Sequence, residues 1–222
     1  MTSTKESILY TALRLFARDG YEATSVSDIA GELGMTKGAL YKHYKNKRDI
    51  FESIFERVYQ EDVVQAKKYG VPVDVFEKVP SAFKNTSLEQ LKNYIEARFR
   101  VWLEDELARN FRKMLTLEQY RSPEMGGLYK RCVGQDSYIE DLFRQMIKQG
   151  VLKKNDPKLL ALEFFAPFHL LLNMAMADEE SDIEEAAGLL TAHIDRFIDN
   201  NANIAKVAKA KKAKGVIRKK GV

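Results

Sequence analysis

The 222-residue sequence predicts an all-α protein of about nine helices. A three-helix N-terminal head is joined by one long helix to a larger helical bundle. Three observations predict this. Apolar residues recur at three- and four-residue steps through most of the chain, the spacing that gathers them on one side of an α-helix. No stretch alternates polar and apolar residues over the length of a strand. Ser, Thr, Asp or Pro precede the periodic stretches and Gly follows several of them, as helix starts and stops require.

In chain order, Ser3 or Thr4 can cap a first helix from Lys5 to Arg18, with Ile8, Leu9, Ala12, Leu13, Leu15 and Phe16 as its apolar stripe and Asp19-Gly20 as its stop. Ser25 or Ser27 can cap a short helix from Val26 to Leu33, and Gly34 supplies the left-handed residue that ends it. A second short segment runs from Thr36 to Tyr44. A long helix from Lys47 to Lys68 then carries Ile50, Phe51, Ile54, Phe55 and Val58 on one side and leads out of the head. Gly70, Pro72 and Pro80 punctuate a connector up to Ser87. Ser87 and Gln90 form a capping-box pattern before the next helix. A further helix covers about Asp105 to Tyr120, and Ser122-Pro123 opens one expected to reach Gln149. Asp156-Pro157 starts the most apolar stretch of the chain, interrupted chiefly by Glu163, His169 and Asn173, with Pro167 expected to kink it. A last helix, capped at Ser181, runs to about Ile198.

Composition narrows the function. With 45% hydrophobic and 31% charged residues the chain can bury a sizeable core. No run approaches the ~18 uninterrupted apolar residues of a membrane span, and the first residues lack a secretory pattern, so no membrane partner and a cytoplasmic location are expected. The single cysteine, Cys132, suits a reducing compartment. The net charge of +4 hides an uneven distribution. Residues 205–222 hold eight Lys or Arg and no acid, which leaves −4 on the rest of the chain. Between Thr36 and Arg48 five Lys or Arg again occur without an acid. Two short helices joined at Gly34, the second basic and exposed, suit the major groove of double-stranded DNA. The tail suits a weak, sequence-independent contact with a polyanion.

Phe16 to Leu33, within FARDGYEATSVSDIAGELG, followed by MTKGALYKHYKNKRDIF, resembles the signature of the TetR family of bacterial transcriptional regulators. The resemblance implies a DNA-binding head (residues 1–47) and a ligand-sensing and dimerisation domain (48–204), to which the charge count adds the basic tail (205–222). It places Thr36, Lys37, Gly38, Ala39, Tyr41, Lys42 and His43 on the turn and recognition helix. Lys37 and Lys42 are expected on phosphate or guanine, Tyr41 and His43 on phosphates, and Gly38 at close approach to the groove. Ser25 and Lys47 are expected on flanking phosphates, and Tyr44 in the core. Ala39 departs from relatives with a polar residue there and offers only an apolar contact, such as a thymine methyl.

The resemblance also implies a homodimer reading a palindrome and a small-molecule effector in the larger domain. The stripe Ile183, Ala187, Leu190, Ile194 and Phe197 on the last helix, with the apolar helix before it, is the expected dimer seam. Phe99, Trp102, Phe111, Met114 and Tyr120, with Tyr138, Phe165 and Phe168, supply rings and apolar surface for a largely apolar or aromatic ligand. Arg98, His169 and Asn173 supply its polar handles. The expected function is thus a ligand-released repressor, the alternative being an architectural DNA-binding or partner-binding protein without such a switch. No catalysis, metal or cofactor is expected. His43, His169 and His193 lack metal-ligand spacing, and no GxSxG, P-loop or dinucleotide-binding glycine pattern occurs.

Overall fold

A computed structural model describes residues 4–71, 86–121, 123–132, 136–177 and 183–203. The 72–85 connector, the Ser181 cap, the side chains of Cys132 and Tyr138, and the basic tail lie outside the described residues. Within them the chain forms ten helices and no strand, apart from an isolated antiparallel bridge between Leu152 and Ala202.

The head packs three helices against the start of a fourth. Helix α1 (Thr4–Asp19) buries Ile8, Ala12, Leu13, Leu15, Phe16 and Ala17. Ser25 caps α2 (Val26–Glu32) through a reciprocal box, its hydroxyl accepting from Asp28 N while its own N–H donates to the Asp28 carboxylate. Gly34, at φ 62°, makes the left-handed turn. Thr36 caps α3 (Lys37–Tyr41) by accepting from Ala39 N at 3.1 Å. The expected continuation to Tyr44 instead tightens into a turn, with Lys42 N bonded to Ala39 O and His43 N to Leu40 O. That turn brings Tyr44 inward, where it is buried and its hydroxyl donates to Lys5 O.

Asn46 caps α4 (Lys47–Lys68). Its 22 residues reach about 33 Å from the head into the body. There follow α5 (Leu88–Glu104), α6 (Glu106–Glu118), α7 (Pro123–Cys132), α8 (Asp136–Lys148), α9 (Pro157–Ala177) and α10 (Ile183–Asn201). The stretch expected to form one helix from Ser122 to Gln149 is helical over Pro123–Cys132 and Asp136–Lys148, with residues 133–135 outside the described residues. Helix α9 runs through Pro167 without interruption in its span.

Aromatic rings tie the layers together. Phe143, Phe164 and Phe197 join α8, α9 and α10 with centroids 5.0–5.5 Å apart. Phe99 meets Phe168 at 5.5 Å between α5 and α9, and Phe55 meets Phe111 at 6.2 Å between α4 and α6. Buried residues of head and body form one continuous apolar cluster.

Helix α9 also corrects an expectation. Over Pro157–Met176 it is long and apolar enough to cross a membrane by length and composition. Counting uninterrupted apolar residues missed this, because Glu163, His169 and Asn173 break the run without lowering its mean hydropathy far. The cause is apolarity on two sides. One side faces the core through Leu160, Phe164, Phe168 and Leu172, while Leu159, Leu162, Leu170 and Met174 point outward.

Candidate nucleic-acid interface and effector core

The helix-turn-helix presents a basic surface open to solvent. Lys37, Gly38, Tyr41, Lys42, His43 and Lys45 are exposed, and Ala39 is half-buried beside them. Leu40 and Tyr44 point the other way, into the core. Among the described residues, Lys37, Lys42 and Lys45 enter no ion pair. Lys37 Nζ lies 5.8 Å from the Tyr41 ring centroid, so the two side chains share one patch. Thr36 and Ser25 are exposed, but each hydroxyl already accepts a backbone N–H as a cap. They can still donate their hydroxyl protons outward.

Lys47 departs from its expected place on a phosphate. Its ammonium turns inward, donating to Tyr21 O at 2.7 Å and Glu22 O at 3.3 Å, and sits 4.3 Å from the Tyr21 ring centroid. Partly buried and with backbone carbonyls for partners, it braces the loop before α2. Arg48 is likewise occupied, bonded to Glu52 and Glu124, and ties α4 to α7. The sequence count of five basic residues therefore becomes three free lysines and a histidine.

The body holds the head at a second point. Glu118, at the end of α6, is 1% exposed. Its carboxylate accepts from Tyr21 N at 3.1 Å and from Arg121 Nη1 at 2.8 Å. Gly20 lies against this pair, where a β-carbon would come 2.4 Å from Arg121 Nη1 and 2.9 Å from the Glu118 oxygen. Sequence reasoning did not single out Glu118.

Of the predicted effector residues, Phe99, Trp102, Phe111, Met114, Phe165 and Phe168 are buried in the body. His169 lies against Phe165 and Phe168, with centroids at 5.8 and 5.3 Å. Tyr120 does not join them. At 88% exposure it stands in solvent, because α6 ends at Glu118 and the chain turns outward after it. Arg98, expected as a handle for an anion, is held 3.3 Å from Asp62, which also accepts from Tyr94 at 3.0 Å. Burial raises the Tyr94 phenol far above its ordinary value. Beside this cluster, between α4 and α5, is a cavity of about 20 Å³ lined by Arg98, Val101 and Trp102 among others, space for about one water. An open cleft of about 460 Å³ between α1 and α4 is lined by Lys5, Tyr10, Tyr44, Arg57 and Leu107, and by none of the predicted effector residues.

The buried cation that sequence reasoning missed is Arg112. It is 1% exposed, its Nη2 donates to Asn173 Oδ1 at 3.0 Å, and its Nε is buried without a hydrogen bond. Burial pulls its guanidinium down to about 10, an effect the nearby Arg98 charge reinforces. Its signal was available, since Arg112 occupies a position on the apolar side of α6, with Leu107, Ala108, Phe111, Met114 and Leu115.

The expected seam on α10 faces inward. Leu190, Ile194 and Phe197 are almost fully buried within the protomer, Ala187 is buried, and Ile183 packs against the same core. The periodicity marked a helix–helix contact correctly, but the contact is with α5 and α9 of the same chain.

Residues 8–54, which span α1 to the middle of α4, match the family model for bacterial regulatory proteins of the tetR family. Over these residues the chain carries a TetR-type helix-turn-helix head. Its similarity to curated HTH-type transcriptional regulators is higher over short stretches than over the full length. It is 36% identical over 99 residues to YerO, an uncharacterized regulator of Bacillus subtilis (strain 168), covering 45% of this chain and 31% of that one. It is 40% identical over 81 residues to AcrR of Shigella flexneri, covering 34% and 38%. These matches thus span about a third of either relative. YhgD of Bacillus subtilis (strain 168), also uncharacterized, is 28% identical over 207 residues, 89% of this chain and 97% of that one. Among solved TetR structures, the SmeT–triclosan complex superposes with a TM-score of 0.67 at 21% identity, over 90% of this chain and 92% of that one.

Proposed function

We propose that the protein is a repressor that binds a palindromic operator as a homodimer in the cytoplasm and is released by a small, largely apolar or aromatic effector. Residues 1–47 read DNA, and residues 48–204 dimerise and take the effector. The observation that carries this reading is the exposed face of Lys37, Tyr41, Lys42, His43 and Lys45, with no carboxylate paired to its lysines among the described residues. Phosphates are the natural partners of such a face. Ala39, half-buried at its centre, leaves an apolar contact for a base edge.

One head offers too little contact for selective binding, whereas a two-fold pair reads two half-sites about 34–36 Å apart. The outward side of α9 supports that pairing. Leu159, Leu162, Leu170 and Met174, with Leu189 on α10, form an exposed apolar stripe. A second copy covers it through an isologous contact, each stripe meeting the other. The buried rings of α5, α6 and α9 favour an apolar effector, and a relative with the same fold, SmeT, is described as the repressor of a multidrug efflux pump and has been solved with triclosan. An effector that fits one arrangement of the body better than another shifts the spacing of the heads by no more than its differential affinity.

Operator binding as a function of salt tests the reading. Two heads with about three phosphate contacts each predict a slope of log K against log salt near −5, and Lys42→Ala should make it shallower by about 2 per dimer. Lys42→Ala or Tyr41→Ala should weaken operator binding markedly while leaving dimer and helix content unchanged. A selected operator bound equally by both variants refutes the recognition face. An operator that no effector releases favours the architectural alternative.

A further inference from the structure

We propose that Arg112 and Asn173 form an anion subsite, which takes the carboxylate of an effector whose apolar part lies against the rings of α5 and α9. This rests on the reading of the body as an effector domain and deepens it by naming the ligand's charged group.

The argument starts from electrostatics. A guanidinium removed from water costs several kcal/mol unless an anion or full hydrogen bonding compensates it. Among the described residues the body contains two such groups, which are treated differently. Arg98 has Asp62 at 3.3 Å. Arg112, 1% exposed, has only the neutral amide oxygen of Asn173, 3.0 Å from Nη2, and no carboxylate among the described residues. Its Nε is buried and donates to no group among the described residues. Planar guanidinium donors match a carboxylate in two parallel hydrogen bonds, which a lysine cannot offer.

Placement supplies the rest. Arg112 reaches from α6 to α9, so its head group lies between the two helices. Asn173 is exposed on the protomer, so the cluster reaches the surface there, on the same side of α9 as Leu170 and Met174. One turn before Asn173, His169 begins an aromatic wall that continues through Phe168 to Phe99 on α5. A carboxylate at Arg112 with a flat apolar body along those rings fills both requirements. A hydrocarbon without the charge leaves the guanidinium uncompensated.

The test uses a matched pair of probes, 2-naphthoate and 2-naphthalenemethanol, with the full-length dimer. Calorimetry should show the acid binding the wild type roughly 10- to 100-fold tighter than the alcohol, the range for hydrogen bonds to a charged group. Arg112→Met should erase that preference and raise the melting midpoint of the ligand-free protein by ~2–4 °C, because an uncompensated buried charge is gone. Asn173→Asp places a carboxylate beside Arg112 from within. It should also raise the ligand-free midpoint and should abolish binding of the acid. Equal affinity of acid and alcohol, no binding of either, undiminished binding of the acid to Arg112→Met, or a lower midpoint in Asn173→Asp each overturns the subsite. Operator release separates this from the broader reading. If the acid binds through Arg112 but the operator stays bound, the subsite stands and the effector reading falls. If acid and alcohol release the operator equally, the reverse holds.

Discussion

Replacing Glu118 with alanine should loosen the head from the body, and the cost can be worked from the contacts it loses. Two hydrogen bonds end on this carboxylate, from Tyr21 N and from Arg121 Nη1. The first matters more. Tyr21 is buried, so alanine strands its N–H away from water, at about 1–3 kcal/mol. The second is worth about 1 kcal/mol at most, because the Arg121 side chain is 54% exposed and water replaces the lost partner. Glu118→Ala should therefore lower stability by about 1–4 kcal/mol, a midpoint drop of ~2–15 °C for a chain of this size. Glu118→Gln keeps an acceptor for Tyr21 N and should recover most of the loss. Denaturant unfolding and operator anisotropy on the same samples provide the assay. The alanine variant should also bind operator more weakly, since the loop before α2 is then held less firmly against α6. Wild-type stability and operator affinity in Glu118→Ala would show that the α6 contact neither supports nor orients the head.

Three further outcomes follow from particular residues. Leu162→Lys with Leu170→Lys, on the outward stripe of α9, should give folded monomers by light scattering, whereas Ile194→Lys, inside the protomer core, should unfold the chain; a folded dimer from the first variant moves the interface elsewhere. Burial first, and Asp49 second, push the Tyr44 phenol up to about 12 from its ordinary 10.0. The folded state therefore holds that proton more tightly than the unfolded chain. The resulting stability is intact below pH 10 and lost as pH climbs toward 12; Tyr44→Phe should remove this component, and parallel pH profiles for the two proteins refute it. Gly20→Ala should cost about 1–2 kcal/mol for the left-handed backbone, because Gly20 has φ 96°, and should weaken the Glu118 contact beside it, read as a lower midpoint and a weaker operator complex.

How much was legible in the sequence depended on the range of the interaction. The caps at Ser25 and Ser87 were readable because a cap is a contact with residues two or three positions away. Tyr44 was read correctly as core from its place in the motif. Lys47 was not, because its direction is set by carbonyls of Tyr21 and Glu22, more than twenty residues earlier. The α10 stripe showed that Leu190, Ile194 and Phe197 meet another helix, yet periodicity carries no mark of whose helix it is. Tyr120 was misplaced by two residues of helix: α6 stops at Glu118, and the ring that one more turn directs inward points to water. Arg112 and Glu118 were overlooked for the opposite reason. Each occupies an apolar-side position of α6, and a charge interrupting such a stripe was read as tolerance when it marked a buried contact.

The two-sided apolarity of α9 has a consequence for how much of this protein a cell needs. Under the proposed pairing, the stripe of Leu159, Leu162, Leu170 and Met174 is covered only while a second protomer is present. Association then contributes to folding by mass action, so the melting midpoint rises with protein concentration. Newly made chains at low abundance remain the least protected, with sticky leucines facing out, and each added protomer steadies those already there. Supply and survival of the regulator become linked quantities, set by the same four side chains.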